Sequence, residues 1–202
     1  MKNSKRIGAG MVLCGVLGVA SAPPAAGAPP IGLHPIDGAH WQAGSGLPDA
    51  RGHARNALVR VIDGSDDHPE VAAITGLRGT STADLGSLGF TVAGDEAGII
   101  PCIKVAYADA HGVRRETMIT SRAMRAEAAT EPGWTRYSFD GALPAGTIET
   151  IELGAHDEIR VDAPDGNGPP RLRPSMRFDD VVVEDRLFTQ PGDDTGRTTP
   201  GV

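Results

Sequence analysis

Cysteine is almost missing: the 202 residues hold only Cys14 and Cys102. Cys14 lies in a leading segment that reads as removable, so Cys102 stands alone and no intramolecular disulfide can form in the processed chain. Lysine is as scarce. After Lys2 and Lys5 the only one is Lys104, and beside abundant Ala, Gly, Pro and Arg this reads as the composition of a GC-rich bacterial genome. Aromatic residues make up 4% of the chain, with two Trp and two Tyr. Any platform of Trp and Tyr must therefore draw on Trp41, Tyr107, Trp134 and Tyr137. Long apolar runs are missing too, since the stretch from Ile7 to Ala20 is short for a bilayer span and no second candidate follows. Positive charge is in deficit: without Lys2, Lys5 and Arg6 the chain carries 16 basic against 26 acidic residues, a net charge near −10. That balance argues against nucleic acid and anionic membrane surfaces as partners.

What is present first is an export signal. Lys2, Lys5 and Arg6 precede the apolar run, and small residues and prolines follow it, the order of a secretory signal peptide. Residues 1–27 are expected to be removed, with Ala25 three places before the cut. Residues 28–188 then form one domain, exported to the periplasm or outside the cell and not inserted in a membrane after cleavage. The polar tail, 189–202, has little to bury and is expected to be disordered.

Short β-branched and aromatic runs separated by Gly, Pro and Asp recur at roughly ten-residue spacing. They lie at 57–63, 85–92, 99–107, 113–120, 134–140, 147–153, 157–161 and 177–185. The pattern predicts an all-β chain, an antiparallel β-sandwich or jelly roll of about eight to nine strands. One or two short helical turns are expected as well, over Arg122 to Ala129 by propensity. Residues 71–75 fit either a strand or a short helix capped by Asp67. The Pro- and Gly-rich segment 28–50, anchored by Trp41, crosses the sandwich end or adds an edge strand. Asp109 to Gly112 make a hairpin turn. Cys102, among apolar neighbours, reads as a small core residue.

The run Gly-Trp-Thr-Arg-Tyr-Ser-Phe from Gly133 to Phe139, an Ile/Leu strand, and Phe-Asp-Asp-Val-Val-Val from Phe178 to Val183 resemble the closing half of bacterial carbohydrate-binding modules. Those modules are of the galactose-binding-like jelly-roll type, and the resemblance is confined to the C-terminal half. It implies a non-catalytic glycan-binding module, often with a structural calcium held partly by an acidic residue of the last strand. The matching positions are Asp179 and Asp180. Calcium takes about six to eight oxygens. In a regular strand Asp179 and Asp180 point to opposite faces; a bulge there would instead let Phe178 and Val181 reach one face.

Glycan recognition leans on aromatic rings with a few polar groups beside them. Trp134, Arg136 and Tyr137 are the candidate ligand-binding residues, and by strand parity at most one of the two rings faces the core. Catalytic patterns are thin. Asp180 and Glu184 on one strand face stand about 13 Å apart, beyond the roughly 9.5 Å limit of glycosidase carboxylates. His34, His40, His53 and His68 lack metal-ligand spacing, and residues 79–83 depart from the nucleophile elbow at Ala83. The leading function is a secreted, non-catalytic sandwich that binds an extracellular ligand, with a glycan foremost. Two others stay open: a secreted hydrolase or lyase assembled from scattered His and Asp/Glu, and a structural or adhesion protein that pairs its sheet edges.

Overall fold

Alternation of Ile103, Val105 and Tyr107 with Lys104 calls for a strand buried on one face. The computed structural model places it inside a five-stranded sheet, paired on both sides. The structure describes residues 30–36, 38–48, 55–61, 69–93, 99–157, 175–184, 186–189 and 197–198. The expected signal peptide, His53, His68 and most of the run at 157–161 lie outside the described residues.

The described strands are β1 (Gly32–Pro35), β2 (Ala39–Ala43), β3 (Asn56–Val61), β4 (Glu70–Thr75), β5 (Leu88–Ala93), β6 (Ile99–Ala108), β7 (Arg114–Thr120), β8 (Arg125–Ala128), β9 (Trp134–Phe139), β10 (Thr147–Asp157), β11 (Ser175–Val183), β12 (Arg186–Phe188) and β13 (Arg197–Thr198). Five of them form one antiparallel sheet in the order β1-β4-β10-β6-β7. Eight form the other, with β13-β12-β11-β5-β9-β8 in sequence and β2-β3 joined to β11. Two strands share the outer edge of β11: β3 pairs with Ser175–Phe178 and β12 with Val181–Val183. The all-β sandwich expectation holds, with more strands than the eight or nine read from spacing, while the run expected at 147–153 continues to Asp157 as one strand.

The two sheets enclose one main core in which Leu58, Phe90, Ile103, Ile151, Leu153, Met176, Phe178 and Phe188 are buried. Phe90 sits at its centre, with the Tyr137 and Phe178 rings each 5.5 Å away. These contacts bury the aromatic edges that prefer tilted or edge-on packing.

Several local ambiguities are decided by pairing. Residues 70–75 are a strand because β4 pairs with β1 on one side and β10 on the other. The helical expectation for Arg122 to Ala129 is corrected: only Ser121–Ala123 form a 3₁₀ turn, and Arg125–Ala128 are strand β8 on the edge beside β9. Ala and Glu favour helix locally, but cross-strand pairing overrides a propensity of a few tenths of a kcal/mol per residue. The leading segment both crosses the sandwich end and supplies edge strands, β1 on one sheet and β2 on the other. At the β6–β7 hairpin, Asp109 accepts the N–H groups of His111 and Val113, and Gly112 takes φ +73°, which favours glycine.

Candidate functional site

The site is built on the outer face of the larger sheet, where β5 lies between β9 and β11. A bulge sets the register. Pairing between β11 and β5 shifts between Asp179 and Val182, and Asp180 adopts φ +45°. An aspartate tolerates this left-handed conformation better than most residues. The extra residue lets Phe178 and Val181 both bury fully in the main core. It also corrects the regular-strand expectation for Asp179 and Asp180, since both carboxylates serve the outer face.

Asp179 is buried there. Its Oδ2 accepts the Leu47 N–H at 2.7 Å and its Oδ1 accepts the Asp180 N–H at 2.7 Å. The first bond fastens the segment after β2 across the sheet, and Leu47 then packs with Ala57, Val59, Ala93 and Trp134 in a second, smaller apolar cluster. Gly46 makes this approach possible. A Cβ on it would lie 2.1 Å from the Asn56 carbonyl oxygen and 2.6 Å from Asp179 Oδ2.

Along β5 the residues facing this side are small: Gly89, Thr91 and Ala93. Thr91 pairs with Arg136 of β9 and with Asp179 of β11; Ala93 pairs with Trp134 of β9 and Arg177 of β11. Directly paired residues point the same way, so two side chains can bridge β5 from opposite walls. Both do. Arg136 reaches from β9 to Asp180, with Nη2 3.2 Å from Oδ2. Arg177 reaches from β11 to Trp134, its guanidinium carbon 5.6 Å from the ring centroid, within cation–π range. Beyond Arg136, Arg125 pairs with Glu127 at 3.2 Å and lies 3.8 Å from Asp140.

The three residues singled out for ligand binding are therefore divided. Trp134 and Arg136 share the outer face. Tyr137 points the other way and packs against Phe90 and the main core. Trp134 is 9% exposed, held between the Leu47 cluster and Arg177. Under the Arg136–Asp180 bridge, Thr91 is 0% exposed and its Oγ1 has no hydrogen-bond partner. Nothing in the sequence marks Thr91, because its position matters only once three strands are in register.

As a calcium site the aspartate pair is poorly supplied. Both Asp179 oxygens receive backbone N–H groups, Asp180 faces Arg136, and among the described residues no group of three or more His, Cys, Asp or Glu comes together. A calcium ion would have to find most of its oxygens elsewhere.

Other polar clusters lie apart from this face. On the outer side of the smaller sheet, Lys104 Nζ sits 2.6 Å from Glu70 Oε1 and 2.9 Å from Glu152 Oε2. Burial alone would lower the ammonium pKa, but the two carboxylates hold it above the usual lysine value. Beside it, burial pushes the Cys102 thiol up to about 12, with Lys104 pulling weakly the other way. His34 Nε2 lies 3.1 Å from Thr75 Oγ1 on the same sheet, and His40 is on β2 of the other sheet. At one end of the sandwich, a cleft of about 230 Å³ opens between the loops before β5 and after β9, floored by Leu85, Leu88, Phe139 and Leu143.

Fold and face together define an antiparallel β-sandwich with an arginine-bridged trough on one sheet. No family model matches the chain, and no curated protein matches it. It is similar to a solved structure, the enzymatically active domain of bacteriophage CBA120 tailspike protein 4, with 10% identity and a TM-score of 0.39. That alignment covers 78% of this chain and 19% of the tailspike chain, so this chain spans about a fifth of it.

Proposed function

We propose that this protein is an exported, non-catalytic β-sandwich that binds a glycan along the outer face of β5. The observation that carries the reading is the pair of bridges over a small-residue strand: Arg136 to Asp180 above Thr91, and Arg177 to Trp134 above Ala93. Glycans present hydroxyls that both donate and accept, over rings with an apolar face. The trough offers guanidinium donors beside the Asp180 carboxylate, the mixture that ligand hydroxyls need, with Trp134 packed beneath Arg177 as its apolar floor. At this face Asp179 holds backbone N–H groups and Asp180 holds Arg136, so both carboxylates stand as hydrogen-bond acceptors within one polar network.

The test is a pull-down of the purified protein on a panel of insoluble polysaccharides. Trp134→Ala would empty part of the Leu47 cluster, so Arg136→Ala and Arg177→Ala are the informative variants, with circular dichroism to show that the fold persists. Retention on at least one polymer, reduced roughly tenfold or more in each variant, is expected from the loss of charged hydrogen-bond donors. Equal retention of all three proteins would rule out this face, and retention of none on any polymer would end the glycan reading.

A further inference from the structure

Thr91 is the one residue of the trough whose state the fold does not explain. A buried hydroxyl without a partner is a standing cost, and its removal from a purely structural position is close to neutral or stabilising. Val is nearly the same shape as Thr and suits a strand equally well. The hydroxyl nevertheless lies at the centre of the face, in register with Arg136 on one side and Asp179 on the other, with the Arg136–Asp180 bridge crossing its strand position. The Arg136 end of that bridge is open to solvent, its side chain 57% exposed against 22% for Asp180, and a surface ion pair of this kind contributes little and can exchange its partners.

Resting on the glycan reading above, we infer that Thr91 is a ligand-contacting residue, its hydroxyl kept unpaired beneath Arg136 and Asp180 for a hydroxyl of a neutral saccharide. When the bridge parts, a sugar hydroxyl accepts from Arg136, donates to Asp180 and pairs with Thr91 Oγ1, so all three groups gain or keep a partner. Charge selects against an acidic sugar. A ligand carboxylate at this spot would face Asp179 and Asp180 together, with Arg136 as the guanidinium that the described residues set against Asp180 across Thr91. Like-charge juxtaposition of this kind is a common means of rejecting a wrong ligand.

The experiment uses the intact protein with Thr91→Val and Asp180→Asn, the latter a residue that also tolerates positive φ. Cellopentaose, xylopentaose and mannopentaose serve as neutral probes and pentagalacturonate as the acidic one, each followed by titration calorimetry, with thermal melts of every protein. Expected results are binding of at least one neutral probe, weakened roughly three- to tenfold in Thr91→Val, together with an unchanged or higher melting temperature. Pentagalacturonate is expected to bind only Asp180→Asn, where Arg136 faces one carboxylate fewer. Neutral-probe binding identical in wild type and Thr91→Val would overturn the role of Thr91 and leave the glycan reading standing. A lower melting temperature in Thr91→Val would show that the hydroxyl already serves the fold, and would overturn it too. Tight binding of pentagalacturonate by the wild type would overturn the neutral class. Binding of no probe, with no retention on any polymer, would take down both the glycan reading and the inference built on it.

Discussion

Asp179 Oδ2 accepts the Leu47 N–H at 2.7 Å, a buried bond between residues 132 positions apart in the chain. It joins a strand of the larger sheet to an irregular segment that otherwise lacks regular pairing, and the small cluster around Trp134 depends on it. Asp179→Ala leaves the buried Leu47 N–H without an acceptor and is expected to cost about 1–3 kcal/mol. Gly46→Ala forces the same segment away from Asn56 and Asp179 and is expected to cost a similar amount. Because both changes release one contact, their double variant should lose less than the sum, which urea denaturation of the four proteins measures. Additive losses would mean that the segment is held from elsewhere.

Lys104 gives the protein an alkaline limit. Its folded pKa is raised by Glu70 and Glu152, so the stability it contributes is fully present below the unfolded lysine value of about 10.4. Above that value the unfolded chain releases the proton first, and stability falls by about 1.4 kcal/mol per pH unit until the folded group also titrates. Denaturation midpoints measured between roughly pH 9 and 11.5 should show this decline in the wild type and less of it in Lys104→Met. The variant should also be less stable near neutral pH, because it leaves two partly buried carboxylates facing each other without their cation.

Cys102 should be inert in the folded state. Its thiol is buried and its pKa is pushed up to about 12, so almost no thiolate exists near neutral pH. Maleimide labelling followed by mass spectrometry should show no adduct in the native protein and full labelling in denaturant. Rapid native labelling would contradict the burial described for β6.

Calcium removal offers a fourth measurement. With Asp179 already satisfied by two backbone N–H groups and Asp180 by Arg136, the melting temperature should be the same in excess chelator and in millimolar calcium. A rise of several degrees with calcium would instead show linked binding, and would require ligands beyond the described residues.

Local patterns carried much of the fold. The alternation along β6, the Asp109 turn and the spacing of Phe178 and Val181 each have a cause within a few residues, and each could be read from order alone. Residues 125–128 could not, because what makes them a strand is β9, and helix propensity is the stronger local signal there. The trough was half legible. Trp134 and Arg136 stood out as residue types, and parity separated Tyr137 from Trp134. The bridges themselves depend on β9, β5 and β11 lying side by side, which brings residues 91, 136 and 180 together from distant parts of the chain. Thr91 and Leu47 carry no mark in the sequence for the same reason.

The placement of β11 also sets a timetable. It forms the meeting line of β3, β5 and β12, yet it follows β3 and β5 by more than 80 positions in the chain. A polypeptide emerging from the ribosome N-terminus first can fold the hairpin of β6 and β7 early, since those strands are neighbours in sequence. The larger sheet must wait, its β3 and β5 edges unpaired, until nearly the whole domain has been made. Closure of the trough is thus among the last events of folding, and a chain halted before Ser175 would contain Trp134 and Arg136 but no wall for either to reach.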